Sequence, residues 1–186
     1  MNIGENWFDF QGLYSKMVDS FTDGSHFVEV GSWKGRSASY LAVEIINSNK
    51  KIKFDCVDTW LGSVEHTNSS SLFFQSELVN DEGWLYNQFI NNIQPVVDVI
   101  NPIRTTSLKA AASYPDESLD FVFIDASHQY EDVINDLRTW YPKIKKGGYI
   151  GGHDFTIMHS GVIKAVKEFF DTNFDIHKSS YLHKKV

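Results

Sequence analysis

The chain has one cysteine, no long apolar run and no excess of basic residues, and each shortage excludes a class of protein. Cys56 is the only cysteine among 186 residues, so no internal disulfide can form and a reducing cytoplasm is the expected location. No apolar run reaches the roughly 18 residues that a membrane-spanning helix needs, and the N-terminus lacks the basic start and apolar run of a signal peptide. The net charge of −7 argues against a nucleic-acid backbone as the main partner.

What the chain does contain is typical of a globular domain. Hydrophobic residues make up 42% of it, with 14 Phe, 8 Tyr and 5 Trp, so residues 1–186 are expected to fold as one domain with a substantial core. Cys56 lies within an apolar run and is expected in that core. Residues 1–24 are predicted to be a helical lead-in. Its aromatic residues Trp7, Phe8 and Phe10 leave two possibilities open, a contact surface of a homo-oligomer or packing on the domain itself.

Apolar runs and helical patterns alternate along the chain. After a helix over Phe10–Ser20, strands are predicted at His26–Val30, Ile52–Asp58, Val96–Asn101, Leu119–Asp125 and Gly148–His153. The helices between and after them are predicted at Arg36–Asn47, Trp84–Asn92, Leu108–Tyr114, Tyr130–Tyr141 and Gly161–Asp171. This alternation predicts an α/β fold with a parallel sheet covered on both faces, and such sheets bind ligands beyond the carboxyl ends of their strands.

Two segments fall outside this alternation. Residues 61–83 are rich in Ser and Asn and are predicted to form a lid or substrate-binding loop, with Glu65 and His66 interpreted as surface residues. Residues 174–184 are predicted to form a short closing hairpin. His159 is expected to be exposed.

The segment Val28–Ser37 predicts a strand, a glycine turn and a helix, which together surround a small polar ligand with backbone N–H groups. A dinucleotide site has the pattern G-x-G-x-x-G, because its second glycine lets the backbone approach the pyrophosphate. Trp33 stands at that position here, and the carboxylate of Glu29 would repel a diphosphate. A ligand with a cationic amino-acid end, such as S-adenosylmethionine (SAM), suits this turn better.

Asp58 ends the second predicted strand, 23 residues after Gly35. An acid at this place accepts hydrogen bonds from both ribose hydroxyls of an adenosine ligand. The alternative is a helix cap or a solvated acid at the end of a strand. The spacing is shared by NAD and SAM sites, so it predicts a nucleoside ligand without choosing between them.

A second group of polar residues follows two neighbouring strands. Asp125 and His128 come after one, and His153 and Asp154 after the next, so their side chains are expected to converge outside the sheet. Two carboxylates with a few waters suit Mg²⁺ or Mn²⁺, whereas an imidazole at position 153 favours a softer metal. A histidine such as His128 can take a proton near neutral pH, although a lone histidine at a helix start is more often a cap or a solvated group.

Four motifs resemble a known family. Val28–Arg36 (VEVGSWKGR), Val57–Ser63 (VDTWLGS), Phe121–Tyr130 (FVFIDASHQY) and Tyr149–Asp154 (YIGGHD) are similar, in order and spacing, to class I SAM-dependent methyltransferases of methyltransferase family 24. The resemblance implies a Rossmann-like three-layer sandwich whose mostly parallel seven-stranded sheet has an antiparallel C-terminal strand. The turn of this chain departs from the family pattern in lacking a middle glycine.

The same resemblance implies roles for individual residues. The methionine end of SAM would contact Glu29, Gly31, Ser32, Trp33 and Gly35. The ribose would bind Asp58, with Thr59 and Trp60 beside the adenosine and Thr106 and Ser107 near the adenine.

The chain also resembles metal-dependent O-methyltransferases that act on small molecules. By position, Asp125 and Asp154 would be metal ligands, and Asp125 would also lie at the cofactor and the reacting atoms. His153 stands where those relatives have a carboxylate and would be the third ligand. His128 matches the position of their general base.

These expectations combine into one predicted function: SAM-dependent O-methylation of a small hydroxylated acceptor, such as a sugar or a metabolite, with divalent-metal assistance. Neither a nucleic acid nor a membrane is expected as a partner. Two alternatives stay open, an NAD(P)-dependent oxidoreductase and a non-catalytic nucleoside-binding module of the same fold.

Overall fold

A seven-stranded sheet forms the centre of the molecule in the computed structural model, which describes residues 7–186. Its strands are β1 (His26–Val30), β2 (Lys53–Asp58), β3 (Ile100–Arg104), β4 (Leu119–Ile124), β5 (Ile144–Gly152), β6 (Asp175–His177) and β7 (Ser180–Lys184). They lie in the order β3-β2-β1-β4-β5-β7-β6, and only β7 runs antiparallel to its neighbours. The predicted fold class is therefore confirmed, with the antiparallel strand supplied by the C-terminal hairpin.

Helices cover both faces of this sheet. They are α1 (Gln11–Ser20), α2 (Arg36–Ser48), α3 (Val64–Thr67), α4 (Ser76–Asn80), α5 (Trp84–Ile93), α6 (Ser107–Ala111), α7 (Tyr130–Trp140) and α8 (Ser160–Phe170). The buried side chains of α1, α2 and α5 pack on one face, and those of α6, α7 and α8 on the other. In residues 7–186, no helix combines the length and apolar character that crossing a bilayer requires.

The alternation of side chains along the strands gives the two faces different cores. Phe27, Phe121 and Phe123 point to the α1/α2/α5 face, and the intervening Val28 and Val122 point to the opposite one. Successive residues of a strand face opposite sides, so the two layers have separate cores. The layer under α1, α2 and α5 is richer in aromatic side chains and is called the aromatic layer below, whereas the other is mainly aliphatic. Cys56 is buried in the aromatic layer, as predicted.

The third strand begins four residues later than predicted. Residues Gln94–Val96 form a 3₁₀ turn, with Pro95 near its start, that prolongs α5, and β3 begins only at Ile100. Short apolar runs do not distinguish a strand from a buried helical turn. Pro102 lies within β3, where its missing N–H is tolerated because β3 is an edge strand.

The N-terminal aromatic residues pack on the domain. Phe8 and Phe10 are buried in the aromatic layer. Of the two possibilities left open by the sequence, these two residues therefore follow the second, packing on the domain itself. Trp7 stays partly exposed and contacts the rings of Trp33 and Phe73. Residues 1–6 of the predicted lead-in lie outside the described residues.

The glycine at position 31 provides a stability test, because a Cβ built there would lie 1.9 Å from the Asp125 carbonyl oxygen. We expect Gly31→Ala to lower the free energy of unfolding by about 3 kcal/mol or more, since backbone on both sides must move. Gly12→Ala in α1, where a Cβ meets nothing within 4 Å, is the control and should stabilise by up to about 1 kcal/mol. Urea denaturation measures both, and equal midpoints for Gly31→Ala and wild type would contradict the packing described.

Candidate active site at the carboxyl edge of the sheet

Two glycines shape the turn between β1 and α2. Gly31 and Gly35 have φ values of 88° and 83°, in the left-handed region that favours glycine. The Gly31 N–H donates to the Val57 carbonyl at 2.8 Å, and the Asp125 N–H donates to the Val30 carbonyl at 2.7 Å. The turn is thus held between the ends of β2 and β4, directly beside Asp125.

The Asp58 carboxylate is bound by the backbone of this turn. Its Oδ2 accepts hydrogen bonds from the N–H groups of Ser32 at 2.9 Å and Trp33 at 3.0 Å, and its Oδ1 accepts one from Trp60 at 2.8 Å. Burial raises the pKa of Asp58, and these backbone donors oppose the rise. A carboxylate has about four acceptor positions, so this conformation leaves room for one ribose hydroxyl rather than the two expected.

Glu29 is buried beneath the turn, at 1% exposure. Its Oε2 accepts a 2.7 Å hydrogen bond from the Tyr14 hydroxyl, while Oε1 and the Ser32 hydroxyl have no hydrogen-bond partner within residues 7–186. Burial raises the pKa of Glu29 to about 7, and the nearby hydroxyls of Tyr14, Ser32 and Ser37 lower it only in part. A buried acceptor without a donor is costly, and the ammonium group of a ligand such as SAM would satisfy it.

Trp60 does not lie where the resemblance implied. Its side chain is fully buried, its ring centroid is 4.6 Å from that of Phe89, and its Nε1 donates to the Trp33 carbonyl at 3.0 Å. The Trp60 side chain therefore does not lie beside the adenosine position as expected, because the turn after Asp58 directs its indole into the aromatic layer. There it supports the glycine turn from below.

The two residues expected near the adenine, Thr106 and Ser107, have different surroundings in the structure. The Ser107 hydroxyl donates to the Asp136 carboxylate and accepts a 2.8 Å hydrogen bond from Trp140 Nε1, so its role is to join α6 to α7. This corrects the assignment of Ser107. Thr106, which precedes α6, is exposed, and Thr59 is half-buried at the end of β2, so both stay candidates for cofactor contact.

The second predicted group does converge beyond β4 and β5. His128 Nε2 lies 2.9 Å from Asp154 Oδ2, and His153 Nδ1 lies 3.3 Å from the same oxygen and 3.6 Å from Asp125 Oδ1. Burial lowers the pKa of His153, but the hydrogen bonds and charges of Asp125 and Asp154 outweigh it and raise the pKa to about 11. Burial raises the pKa of Asp154, but His128 and His153 hold it well below its usual range.

Two residues that sequence reasoning missed hold the other side of His153. Its Nε2 lies 2.9 Å from Ser179 Oγ and 3.2 Å from Asp9 Oδ1, and the Ser179 hydroxyl is 2.8 Å from the Asp9 carboxylate. Asp9 comes from the segment before α1 and Ser179 from the turn between β6 and β7. No local sequence pattern marks either one, because they meet His153 only through the fold.

Residues 61–83 close over this edge of the sheet. Glu65 Oε1 lies 3.0 Å from His128 Nδ1, and the ring of His66 lies 4.3 Å from that of Trp33. Glu65 and His66 are thus half-buried and face His128 and Trp33, which keeps substrate contact open for both. This segment also contains the short helices α3 and α4, which give it more structure than a simple loop.

His159 likewise belongs to the cluster. Its Nε2 lies 3.6 Å from Asp154 Oδ1 and its ring centroid is 4.0 Å from that of His128. The expectation of an exposed side chain is wrong, because the 3₁₀ turn Ile157–His159 folds back over the end of β5. Its pKa is lowered, by burial first and by the nearby charge of His128.

The donor atoms of Asp125, His153 and Asp154 fit a divalent metal ion. One ligand atom from each lies within 4.8 Å of the others, and a mixed oxygen and nitrogen set suits Mn²⁺ or a later transition metal better than Mg²⁺. Asp9 beside the far nitrogen of His153 reproduces the outer carboxylate that orients ligating histidines. Because the pKa of His153 is raised, an ion must displace a proton to bind there.

Another depression lies at the opposite edge of the sheet. It has a volume of about 780 Å³ and includes the starts of β1, β2 and β3. Its buried acid, Asp55, is fully partnered by His26 at 2.7 Å, Tyr114 at 2.7 Å and Asn101 at 2.8 Å. This satisfied network is structural, so the candidate active site is the carboxyl edge.

Two curated proteins are similar in sequence to this chain. An uncharacterized protein of Acanthamoeba polyphaga mimivirus is 28% identical over 139 residues, covering 72% of this chain and 52% of the relative. An uncharacterized protein of Sinorhizobium fredii is 26% identical over 134 residues, covering 72% of this chain and 13% of the relative. The chain therefore spans about half the length of the first relative and a small part of the second.

Solved structures share the fold at low identity. The O-methyltransferase NovP superposes with a TM-score of 0.68 at 16% identity, covering 95% of this chain and 79% of NovP. A SAM-dependent O-methyltransferase from Thermotoga maritima superposes with a TM-score of 0.61 at 12% identity, covering 95% and 64%. At such identities the likeness establishes the architecture alone.

The family itself is identified by sequence. A family model described as a methyltransferase domain matches residues 28–155, more than half of the chain. The matched span runs from the glycine turn through Asp58 to the Asp125–Asp154 cluster, the residues that meet at one edge of the sheet. The chain therefore belongs to methyltransferase family 24, whose members are class I SAM-dependent methyltransferases.

Proposed function

We propose that this protein transfers the methyl group of SAM to an oxygen of a small hydroxylated molecule, with the help of a divalent metal ion. The observation that carries the proposal is that two groups of polar side chains lie next to each other at one edge of the sheet. One is Glu29 with an unpartnered buried oxygen, and the other is the cluster of Asp125, His128 and Asp154. The first suits a cationic donor, and the second suits a hydroxyl group that must lose a proton.

Residues of the glycine turn hold the donor in this proposal. Backbone groups at Gly31, Ser32 and Gly35 surround the methionine end, with Trp33 beside it and Glu29 receiving the ammonium group. Asp58 accepts one ribose hydroxyl, and Thr59 and Thr106 border the nucleoside.

His128 acts as the general base. Burial lowers the pKa of His128, but Asp154, Glu65 and Asp125 together raise it above its ordinary value, which increases its affinity for the proton of an acceptor hydroxyl. Asp154 lies 2.9 Å from Nε2 and Glu65 lies 3.0 Å from Nδ1. In this proposal the acceptor hydroxyl takes the place of Asp154 beside Nε2 when Asp154 binds the metal ion. Positioning the acceptor oxygen in line with the methyl group supplies much of the rate acceleration.

Asp125, Asp154 and His153 would hold the metal ion in this proposal. When bound, such an ion lowers the pKa of a coordinated hydroxyl and orients it. Asp9 and Ser179 keep the His153 ring directed at the two carboxylates. The acceptor itself lies under residues 61–83, whose Glu65 and His66 reach the site.

The central test measures methyl transfer from isotopically labelled SAM to a panel of sugars and other hydroxylated metabolites. We expect transfer to at least one acceptor, and loss of that transfer when EDTA removes divalent ions, restored by Mn²⁺. Undiminished transfer in EDTA would refute the metal. NADH titrated in parallel should not bind, and SAM binding without any turnover would favour the non-catalytic alternative.

Glu29 predicts a pH dependence of SAM binding. Because burial raises its pKa from 4.5 to about 7, the ionised form that pairs with an ammonium group predominates only above that pH. We expect the SAM affinity to rise about tenfold between pH 6 and pH 8, measured by calorimetry. The titratable groups facing Glu29 are Tyr14 from α1, Cys56 from β2 and Asp125 from β4. Tyr14 and Cys56 stay neutral between pH 6 and pH 8 because burial raises their pKa values, so neither changes the direction of this effect.

Glu29→Gln separates binding from stability. The native state keeps the Glu29 proton up to about pH 7 while the unfolded chain loses it near pH 4.5, so this group costs stability as pH rises through that window, by at most about 3 kcal/mol. The unliganded glutamine variant should therefore unfold at higher urea than wild type at pH 8, yet bind SAM at least tenfold more weakly. Equal SAM affinities would remove Glu29 from the binding site.

His128→Ala tests the base. We expect turnover to fall by about 10²- to 10⁴-fold, while the SAM affinity stays within about twofold because His128 contacts the acceptor side. His177→Ala on β6 is the matched control and should change neither quantity. Turnover of His128→Ala comparable to that of the control would show that another group takes the proton.

A further inference from the structure

His128 and His159 form a second set of donor atoms around Asp154. His128 Nε2 lies 2.9 Å from Asp154 Oδ2, and His159 Nε2 lies 3.6 Å from Asp154 Oδ1. One ligand atom from each of the three residues lies within 4.8 Å of the others. Because His153 Nδ1 also lies 3.3 Å from Asp154 Oδ2, this set and the Asp125–His153 set share the Asp154 carboxylate.

We propose that His128, Asp154 and His159 form a binding site for a borderline-soft divalent cation, with Zn²⁺ as its best occupant. Tetrahedral zinc with N and O ligands at 2.0–2.1 Å places neighbouring ligand atoms about 3.3 Å apart. The distance from His128 Nε2 to Asp154 Oδ2 is 2.9 Å and that from His159 Nε2 to Asp154 Oδ1 is 3.6 Å, so each histidine faces a different oxygen of the carboxylate at a separation of this order. Three protein ligands leave a fourth position for water or another small ligand.

The backbone fixes the two histidines relative to each other. Asp154 has a φ of 57°, its carbonyl accepts the Thr156 N–H at 2.7 Å, and the Thr156 carbonyl accepts the His159 N–H at 3.0 Å. A Cβ at Gly161 would lie 2.5 Å from the His128 carbonyl oxygen, so the start of α8 packs directly on the segment that carries His128. An ion would therefore find its ligands already positioned.

The surroundings also suit an ion that exchanges with solvent. The side chains of His128, Asp154 and His159 are each about one-fifth exposed, which gives an entry path. Glu65 Oε1 lies 3.0 Å from His128 Nδ1, on the nitrogen away from the site, and its negative charge favours a cation nearby, although the pair lacks hydrogen-bond geometry. Two imidazoles favour Zn²⁺ over Mg²⁺, because Mg²⁺ prefers oxygen ligands.

The site has a consequence that rests on the proposed function. His128 cannot accept a proton from an acceptor hydroxyl while its Nε2 binds a metal ion. Zn²⁺ at this site and methyl transfer dependent on His128 would therefore exclude each other, and micromolar Zn²⁺ would inhibit the enzyme.

The test is a titration of the full chain with Zn²⁺ against a chromophoric chelator at pH 7.5, with neither SAM nor acceptor present. Wild type should bind one equivalent, His159→Ala should bind at least tenfold more weakly, and the control His177→Ala should match wild type. Mg²⁺ at millimolar concentration should not displace the Zn²⁺. Circular dichroism verifies that each variant is folded.

A further variant distinguishes the two sets of donor atoms that share Asp154. Asp125→Asn should keep most of the Zn²⁺ affinity, because Asp125 belongs to the set with His153 and not to the set of His128, Asp154 and His159. Unchanged affinity in His159→Ala, or a loss confined to Asp125→Asn, would overturn the proposed site, as would the lack of stoichiometric binding by wild type. Since the assay contains no methyl donor, its result is independent of whether the proposed methyl transfer is found.

Discussion

The close approach of Gly31 to the Asp125 carbonyl is the contact on which the rest of the site depends. It brings the end of β1 against the end of β4, so that the glycine turn and the Asp125–Asp154 cluster share one edge of the sheet. Only a residue without a Cβ allows the backbone at position 31 to lie this close to the Asp125 carbonyl oxygen. Asp58 then binds the far side of the same turn through the N–H groups of Ser32 and Trp33, and Trp60 supports it from the core.

Charge is the second constraint. Glu29, Asp58, Asp125 and Asp154 gather at one edge, and burial makes each negative charge expensive. Different neighbouring groups offset the cost of burying the charge at each of these acids. Backbone N–H groups surround Asp58, histidines pair with Asp125 and Asp154, and Glu29 keeps an unpartnered oxygen and a raised pKa. The least satisfied of these acids is the one at which a cationic ligand gains most.

Segments distant in sequence complete the site. Asp9 and Ser179 are 170 positions apart and meet on the far side of His153, while Glu65 reaches His128 from the segment that closes over the edge. His153, at a position where the sequence resemblance implied a carboxylate, has a carboxylate on either side of its ring. With His159 added, the histidines around Asp154 give this edge a more nitrogen-rich donor set than the sequence resemblance implied.

The sequence by itself determined the sheet, the glycine turn and the convergence of Asp125, His128, His153 and Asp154, because strand alternation and the carboxyl-edge rule depend on local patterns. Sequence reasoning failed where one local pattern fits two structures. The apolar run before Ile100 is a helical turn and not a strand. The Trp60 side chain turns into the core, and the Ser107 side chain turns toward Asp136. Only the tertiary structure decided that Tyr14, Asp9, Glu65 and His159 belong to the site. Each reaches it across a packed interface or a turn, and contacts of that kind leave no periodic or spaced signal in the chain.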